Sequence, residues 1–187
     1  MGRFGASQTA LMAGRLRWLQ SSSLSQRTTT RTVRTSSHAS ELVEALESWL
    51  HPPRVRRLGV RYIDRVHEEN HLQRLSELLR PEILGPYNLN RPEAVSLSSV
   101  LTDCEYQFSD DSALRTRWGF LGPKTTFDPA IAPVDSPSWV LDIDASHGER
   151  DFDPAALIDQ VQLFTDRIYR YFRWAVTDEF LKVYGAS

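Results

Sequence analysis

The chain has 187 residues, with 22 Lys and Arg against 24 Asp and Glu, and its formal net charge is -2. This length suits one compact domain, and the 41% of hydrophobic residues can supply its core. The longest unbroken apolar runs hold four residues each, at 10–13 and 155–158, whereas a membrane span needs roughly 20. Cys104 is the only cysteine, so an internal disulfide is excluded and a reducing compartment fits. We therefore expect a cytoplasmic protein that does not enter a membrane.

The first 40 residues differ in charge from the rest of the chain. They contain six Arg, 14 Ser or Thr and no acidic residue, whereas the remainder has 16 basic and 24 acidic residues. We expect residues 1–12 to be a disordered arm and residues 13–187 to form a single domain. Within 13–40, the stretches 15–19 and 28–35 favour edge strands, although a disordered arm or a targeting segment has the same composition. The acidic charge of the body argues against general nucleic-acid binding.

The first elements of the body are helix, strand and helix. Apolar residues at helical spacing from Leu42 to Leu50 predict a helix, which a serine within 36–40 caps and Pro52 ends. Residues 57–66 alternate with a period of two, except that Asp64 falls on the apolar side, and predict a strand with three Arg on its outer face. Leucines from Leu72 to Leu79 indicate a short amphipathic helix that Pro81 ends.

The second half is first β and then helical. Residues 94–109 and 113–121 predict a hairpin around the turn 109–112, and 139–145 a further strand. Asp153-Pro154 marks the start of a long helix, which ends by Tyr184 unless it bends near Thr177. Its apolar stripe includes Val161, Phe164, Ile168 and Phe172. The predicted fold class is α+β, an antiparallel β-sheet packed by one short helix and a long C-terminal helix.

Four segments of the body are distinctive in order and spacing: RLGVRYIDR at 57–65, TTFDP at 125–129, SWVLDID at 138–144 and FRWAVTDEFL at 172–181. Over about residues 40–187 the chain resembles a sporadically distributed family of uncharacterised bacterial proteins. The resemblance implies a bacterial cytosolic protein whose N-terminal region is shortened or divergent. It supplies no activity, cofactor or catalytic residue.

Asp142 and Asp144 lie two positions apart on a predicted strand, so their carboxylates share one face about 7 Å apart. Such a pair can hold Mg²⁺, and four further candidate ligands follow within the next residues: His147, Glu149, Asp151 and Asp153. The alternative is a ladder of ion pairs on a solvated sheet face, since five arginines are predicted to point outward from other strands: Arg57, Arg61, Arg65, Arg115 and Arg117. We expect the ladder of ion pairs, with no metal and no cofactor. If the protein is instead an enzyme, the catalytic candidates are Asp142, Asp144 and His147.

Two other reactive groupings lack the context that chemistry needs. His67 and His71 have the spacing of ligands on one helix face, but the residues between them do not match the metalloprotease pattern. Cys104 lies between Asp103 and Glu105, and these acidic neighbours oppose formation of a thiolate. Neither grouping predicts a site.

The C-terminal helix carries more aromatic residues than one stripe facing a sheet can bury. Tyr169, Arg170, Arg173 and Trp174 are therefore a candidate partner-binding surface, unless the domain wraps the helix on two sides and buries them.

Three functions are compatible with these patterns. The first is a non-enzymatic binding protein, a partner of a toxin or defence effector, which the patchy occurrence of the similar family suggests. The second is a metal-dependent phosphoester hydrolase that uses Asp142 and Asp144. The third is a small-ligand binder with a cavity between the sheet and the long helix. A concave cluster of Asp142, Asp144 and His147 would favour the enzyme, and an Arg-carboxylate ladder the binding protein.

Overall fold

A computed structural model describes residues 15–23, 29–50 and 52–185. Its strands are β1 Arg15–Ser23, β2 Arg54–Val55, β3 Arg57–Val66, β4 Thr102–Gln107, β5 Ser112–Leu121, β6 Ser138–His147 and β7 Arg150–Asp151. Its helices are α1 Thr29–Trp49, α2 Glu69–Leu72, α3 Leu75–Leu78, α4 Pro81–Leu84, α5 Pro154–Ala175 and α6 Asp178–Tyr184, with a 3-10 turn at Gly85–Asn88. The predicted α+β class is confirmed. Residues 1–12, the predicted arm, lie outside the described residues.

Five strands form the main sheet in the order β1-β3-β6-β5-β4, and β2 pairs with β7 in a small second sheet. The pairs β3–β6, β6–β5 and β5–β4 are antiparallel, as predicted, but β1 runs parallel to β3. The stretch 15–19 therefore lies in an edge strand, which confirms that part of the prediction.

The prediction of a second edge strand at 28–35 is wrong, because helix α1 already begins at Thr29. Parallel strands such as β1 and β3 cannot be joined by a tight turn and need a crossover. Residues 29–49 supply that crossover, and the topology overrides the β-branched character of the threonines. The last apolar residues of the predicted helix are not buried: Trp49 and Leu50 are 84% and 58% exposed.

The single short helix predicted at 72–79 is replaced by three one-turn helices, α2, α3 and α4. The predicted hairpin is present, but its first strand is only Thr102–Gln107. Before it, residues 99–101 run close to β5: the Val100 N–H donates to the Phe120 carbonyl at 2.9 Å. A Cβ added at Gly119 would lie 1.9 Å from the Val100 oxygen, so this close approach requires glycine there.

The C-terminal helix is interrupted at the expected place. The Asp153 carboxylate accepts from the Ala156 N–H and caps α5, and α5 ends at Ala175. Thr177 then caps α6, with its hydroxyl oxygen accepting from the Phe180 N–H at 3.3 Å. The same hydroxyl donates to the carbonyl of Glu77 at 2.6 Å, and the Thr177 N–H donates to the carbonyl of Leu78 at 2.9 Å, so the bend joins α6 to α3.

Helices α1 and α5 pack together, and α5 crosses β3 and β6. Between this helix and the sheet lies the main core, whose members are 0–3% exposed and include Leu58, Val60, Trp139, Leu141, Ile143, Leu157, Val161, Phe164 and Ile168. The opposite sheet face carries a smaller apolar group, Ile63, Leu121, Ile131 and Val140, with Phe127 and Ala130 packed against it. Ile131 and Phe127 belong to the loop 122–137 that connects β5 to β6, so this loop covers part of the second face.

Candidate functional site

Asp142 lies at the centre of the sheet face covered by the loop, in β6 between β3 and β5. Its two carboxylate oxygens accept from Arg61, which donates from Nε at 2.6 Å and from Nη2 at 2.7 Å. Arg117, its cross-strand neighbour in β5, donates to Oδ2 at 2.5 Å. The side chains of Arg61 and Asp142 are both 1% exposed, so this pair is removed from solvent.

Asp128 adds a second carboxylate to the same group. Its Oδ2 atom accepts from Arg61 Nη2 at 3.0 Å and from Arg117 Nη2 at 2.8 Å. Its Oδ1 atom accepts from the Ala130 N–H of its own loop at 2.9 Å. We call Arg61, Arg117, Asp128 and Asp142 the buried ion cluster. Two guanidinium groups and two carboxylates balance in formal charge, and Asp128 fastens the loop 122–137 to the sheet.

The titration of the cluster follows from these contacts. Burial acts to raise the pKa of Asp128, but the hydrogen bond from Arg117, the Ala130 N–H and Arg61 outweigh it, and the pKa lies well below its usual range. Burial acts to lower the pKa of Arg61, but Asp142 and Asp128 outweigh it and raise the pKa. The Phe127 ring lies 4.8 Å from the guanidinium carbon of Arg117 and adds a cation-π contact.

Asp144, the second member of the predicted pair, has a separate partner. Both of its oxygens lie 3.0 Å from Nη2 of Arg57. Arg115, in turn, pairs with Asp103 of β4 at 2.5 and 2.9 Å. The predicted Arg-carboxylate ladder is therefore confirmed, with four of the five arginines in it. The expectation of a solvated face is wrong at Arg61 and Asp142, because Phe127, Asp128 and Ile131 of the loop cover that part of the sheet.

The other candidate ligands do not converge on the aspartate pair. Strand alternation places His147 on the opposite side of β6 from Asp144, and its Nδ1 atom lies 3.2 Å from the Gly148 carbonyl. Glu149 and Asp151 both pair with Arg54, at 3.0 and 3.4 Å. Asp153 caps α5. Glu149, Asp151 and Asp153 are thus each engaged in a contact away from Asp142 and Asp144.

An open depression of about 330 Å³ lies where β3 begins and β6 ends. It is lined by Arg56, Arg57, Ser146, His147, Gly148 and Glu149. It is the surface on which His147 is found. Its two arginines and Glu149 give it mixed charge, and Arg57 is already paired with Asp144. The space between the sheet and α5 is filled by the apolar core side chains instead.

His71 and Cys104, from the two other reactive groupings of the sequence analysis, pack against neighbouring side chains. His71 Nδ1 lies 2.5 Å from the Tyr184 hydroxyl, and the two rings meet edge to face at 5.0 Å. Cys104 is half-buried and packs against the main core. In the part of the chain that the structure describes, no three His, Cys, Asp or Glu residues form a group suited to a metal ion.

The four residues predicted to form a partner-binding surface do not lie on one face of α5. Successive residues of an α-helix turn by 100°, so Tyr169 and Trp174 lie about 140° apart around α5. Arg170 pairs with Asp166 at 2.8 Å, and Arg173 lies 3.8 Å from Asp178. All four side chains are half-buried or exposed, but Tyr169 and Trp174 do not share one face.

Trp174 belongs to a different group, which includes a residue that the sequence reasoning missed. Tyr171 lies 5.3 Å from Trp174 and 6.0 Å from Tyr106 of β4, measured between ring centroids. Tyr106 and Trp174 are 43% and 40% exposed, and Tyr171 is half-buried. We call Tyr106, Tyr171 and Trp174 the aromatic cluster. Because the cluster joins a strand to a helix, helical spacing alone could not have identified Tyr106.

The base of the aromatic cluster is fixed to the sheet. The Thr116 hydroxyl of β5 donates to the Tyr171 oxygen at 3.3 Å, and the Trp118 ring lies 6.4 Å from the Tyr171 ring. Burial, followed by the nearby Tyr106 and Cys104, raises the pKa of Tyr171 even against the Thr116 hydrogen bond. Tyr171 is therefore a neutral, well-held platform, with Tyr106 and Trp174 exposed on either side.

Comparison of the chain with protein-family models, with curated proteins and with solved structures finds no match. Among the helices of the described residues, none has both the length and the apolar character that crossing a membrane requires.

Proposed function

We propose that the protein is a non-enzymatic binding protein that recognises another protein through the aromatic cluster. The observation that carries this proposal is the exposure of Tyr106 and Trp174 on either side of the anchored Tyr171. Tyrosine and tryptophan are enriched among the residues that contribute most to binding at protein interfaces, because they bury a large area at a small cost in conformational entropy. A platform that is already held in place lowers this cost further.

The geometry of the aspartate pair supports a binding protein over a phosphoester hydrolase. A metal ion between Asp142 and Asp144 would have to displace Arg61 and Arg117 from Asp142, where both carboxylate oxygens accept guanidinium hydrogen bonds. Removing an arginine from its buried partner leaves an uncompensated charge. A ligand site between the sheet and α5 has no comparable support, because core side chains occupy that space.

The class of partner comes from the sequence resemblance. A bacterial cytosolic setting, with a toxin or a defence effector as the bound protein, agrees with the sporadic occurrence of the similar family. The aromatic cluster requires only that this partner present an apolar surface to Tyr106 and Trp174.

Affinity capture with three forms of the full chain tests the proposal. The wild type, the double variant Tyr106→Ala, Trp174→Ala and the matched control Tyr169→Ala are each used to capture proteins from a bacterial lysate. We expect a protein that the wild type and Tyr169→Ala retain and the double variant loses, and whose purified form binds the wild type at least tenfold more tightly than the double variant. Capture that does not depend on Tyr106 and Trp174, or no capture, contradicts the proposal.

A further inference from the structure

We propose that the outer edge of β4, beside the aromatic cluster, binds an extended segment of another protein in which basic and apolar residues alternate. This inference rests on the proposed function and names the chemistry of the partner. It is carried by three features of β4: its unpaired backbone groups, the different character of its two faces and the charge of its outward residues.

Among the residues that the structure describes, the backbone of β4 has a neighbouring strand on one side only, since β4 is the last strand of the sheet. On that side, the Val100 N–H donates to the Phe120 carbonyl and the Phe108 N–H to the Ser112 carbonyl. These two bonds show which residues between 100 and 108 direct their backbone groups toward β5. Even-numbered residues of β4 exchange hydrogen bonds with β5, and the N–H and C=O groups of odd-numbered residues point away from it. The β4 edge is therefore made of the backbone groups of Asp103, Glu105 and Gln107. All three residues are exposed.

The two faces of β4 differ in character. Tyr106 faces α5 and belongs to the aromatic cluster. Asp103 and Glu105 point to the opposite face, where Arg115 pairs with Asp103. Glu105 accepts from the Gln107 amide at 2.8 Å and has no ion pair with a described residue. An added strand would place alternate side chains beside the aromatic cluster and beside Glu105. Apolar residues suit the first position, and Lys or Arg suits the second.

The same charges disfavour a second copy of this chain as the occupant. In a symmetric antiparallel pair of β4 strands, a two-fold axis at Glu105 would place Glu105 opposite Glu105, and an axis at Cys104 would place Asp103 opposite Glu105. Like charges directly opposite each other destabilise a strand pair. Acidic residues at an edge thus protect it from pairing with itself and leave it open to a basic strand.

A displayed library of ten-residue peptides, selected on the full-length protein, tests the inference. We expect the enriched peptides to alternate Lys or Arg with apolar residues. Bound peptide should slow amide hydrogen exchange at Asp103, Glu105 and Gln107 at least tenfold, with a much smaller effect at Cys104 and Tyr106, which already bond to β5.

Charge variants identify the recognition element. Glu105→Lys should weaken a selected peptide at least tenfold and Glu105→Gln severalfold, whereas Glu44→Lys, on the exposed face of α1, should have no effect. Enrichment of acidic or non-alternating peptides, no enrichment, or a β4-dependent dimer of the free protein overturns the inference. Peptides that need Trp174 but leave the β4 edge unprotected overturn it too, although the proposed function then survives. Capture that is independent of Tyr106 and Trp174 refutes the proposed function itself.

Discussion

Arg61 and Asp142 form a bidentate ion pair in the interior of the protein, with donor–acceptor distances of 2.6 and 2.7 Å and both side chains 1% exposed. The pair joins the two central strands β3 and β6 diagonally, because the residue opposite Arg61 is Asp144. Arg117 and Asp128 complete the cluster and join a third strand and the loop to it. A chain of charge-assisted hydrogen bonds therefore ties together the second sheet face.

Removing the Asp142 charge should destabilise the protein strongly. Asp142→Asn leaves Arg61 and Arg117 with Asp128 as the one carboxylate of the cluster, and breaking a buried pair in this way costs about 3–5 kcal/mol. The matched variant Asp144→Asn affects the partly exposed pair with Arg57 and should cost about 1 kcal/mol or less. Urea unfolding monitored by circular dichroism measures both. Equal losses in the two variants would show that burial of the cluster has no energetic consequence.

The stability of the protein should decrease in acid because of Asp128. Its pKa in the folded protein is depressed, so its stabilising contribution is fully present above the unfolded pKa of about 4 and is lost as the pH falls below that value. We expect the free energy of unfolding to fall from pH 5 to pH 2, and to fall less in Asp128→Asn. Asp110, whose pKa the Ser112 and Arg167 contacts lower to about 2, contributes in the same direction. An identical pH profile for the variant would contradict the assigned pairing.

Gly119→Ala should destabilise the hairpin. The added Cβ would meet the Val100 backbone oxygen at 1.9 Å, and separating the two segments costs at least about 1–3 kcal/mol. Gly148 is the matched control, because a Cβ there has no neighbour within 4 Å; Gly148→Ala should change stability by about 0.5 kcal/mol or less. Thermal unfolding of the two variants compares them directly. A Gly119→Ala protein as stable as the control would place residues 99–101 elsewhere.

The residues of the apolar stripe along α5 should contribute unequally to the stability of the protein. Phe164 is fully buried, and Phe164→Ala should cost about 3–5 kcal/mol. Phe172, which the sequence pattern places in the same stripe, is only half-buried, so Phe172→Ala should cost less. Leu163→Ala, at an exposed position, should lie within about 0.5 kcal/mol of the wild type. Chemical denaturation gives the order, and a Phe172 loss that exceeds the Phe164 loss would contradict the packing.

The elements that could be predicted from sequence are those with a regular apolar period and local signals at their ends. Strand β6, capping by Asp153 and the bend at Thr177 belong to this group, since each depends on neighbours in the chain. The helical state of Thr29–Thr35 could not be predicted in this way, because it follows from the parallel pairing of β1 with β3. The division into three one-turn helices between Glu69 and Leu84 could not be predicted either, because α3 packs against α6 and α4 against β5, which lie far away in the sequence.

The candidate site was predictable in part for the same reason. Alternation placed Asp142, Asp144 and the arginines on one face, and the ion pairs followed from the alternating charges. The role of Asp128, in the segment TTFDP at 125–129, could not be predicted, because an irregular loop has no periodic pattern that indicates where it folds back onto the sheet. Tyr106 was missed because its contact with Tyr171 joins residues far apart in sequence.

The central claim is that Asp142 and Asp144 stabilise the fold through their arginine partners and do not hold a metal ion. The most direct test measures the melting temperature of the wild type and of the Asp142→Asn, Asp144→Asn double variant, with and without millimolar Mg²⁺ or Mn²⁺. A native-state metal site would raise the melting temperature of the wild type. We predict that neither cation shifts it and that the double variant melts at a lower temperature. A metal-dependent rise that is present in the wild type and absent in the double variant would contradict the claim and favour the hydrolase.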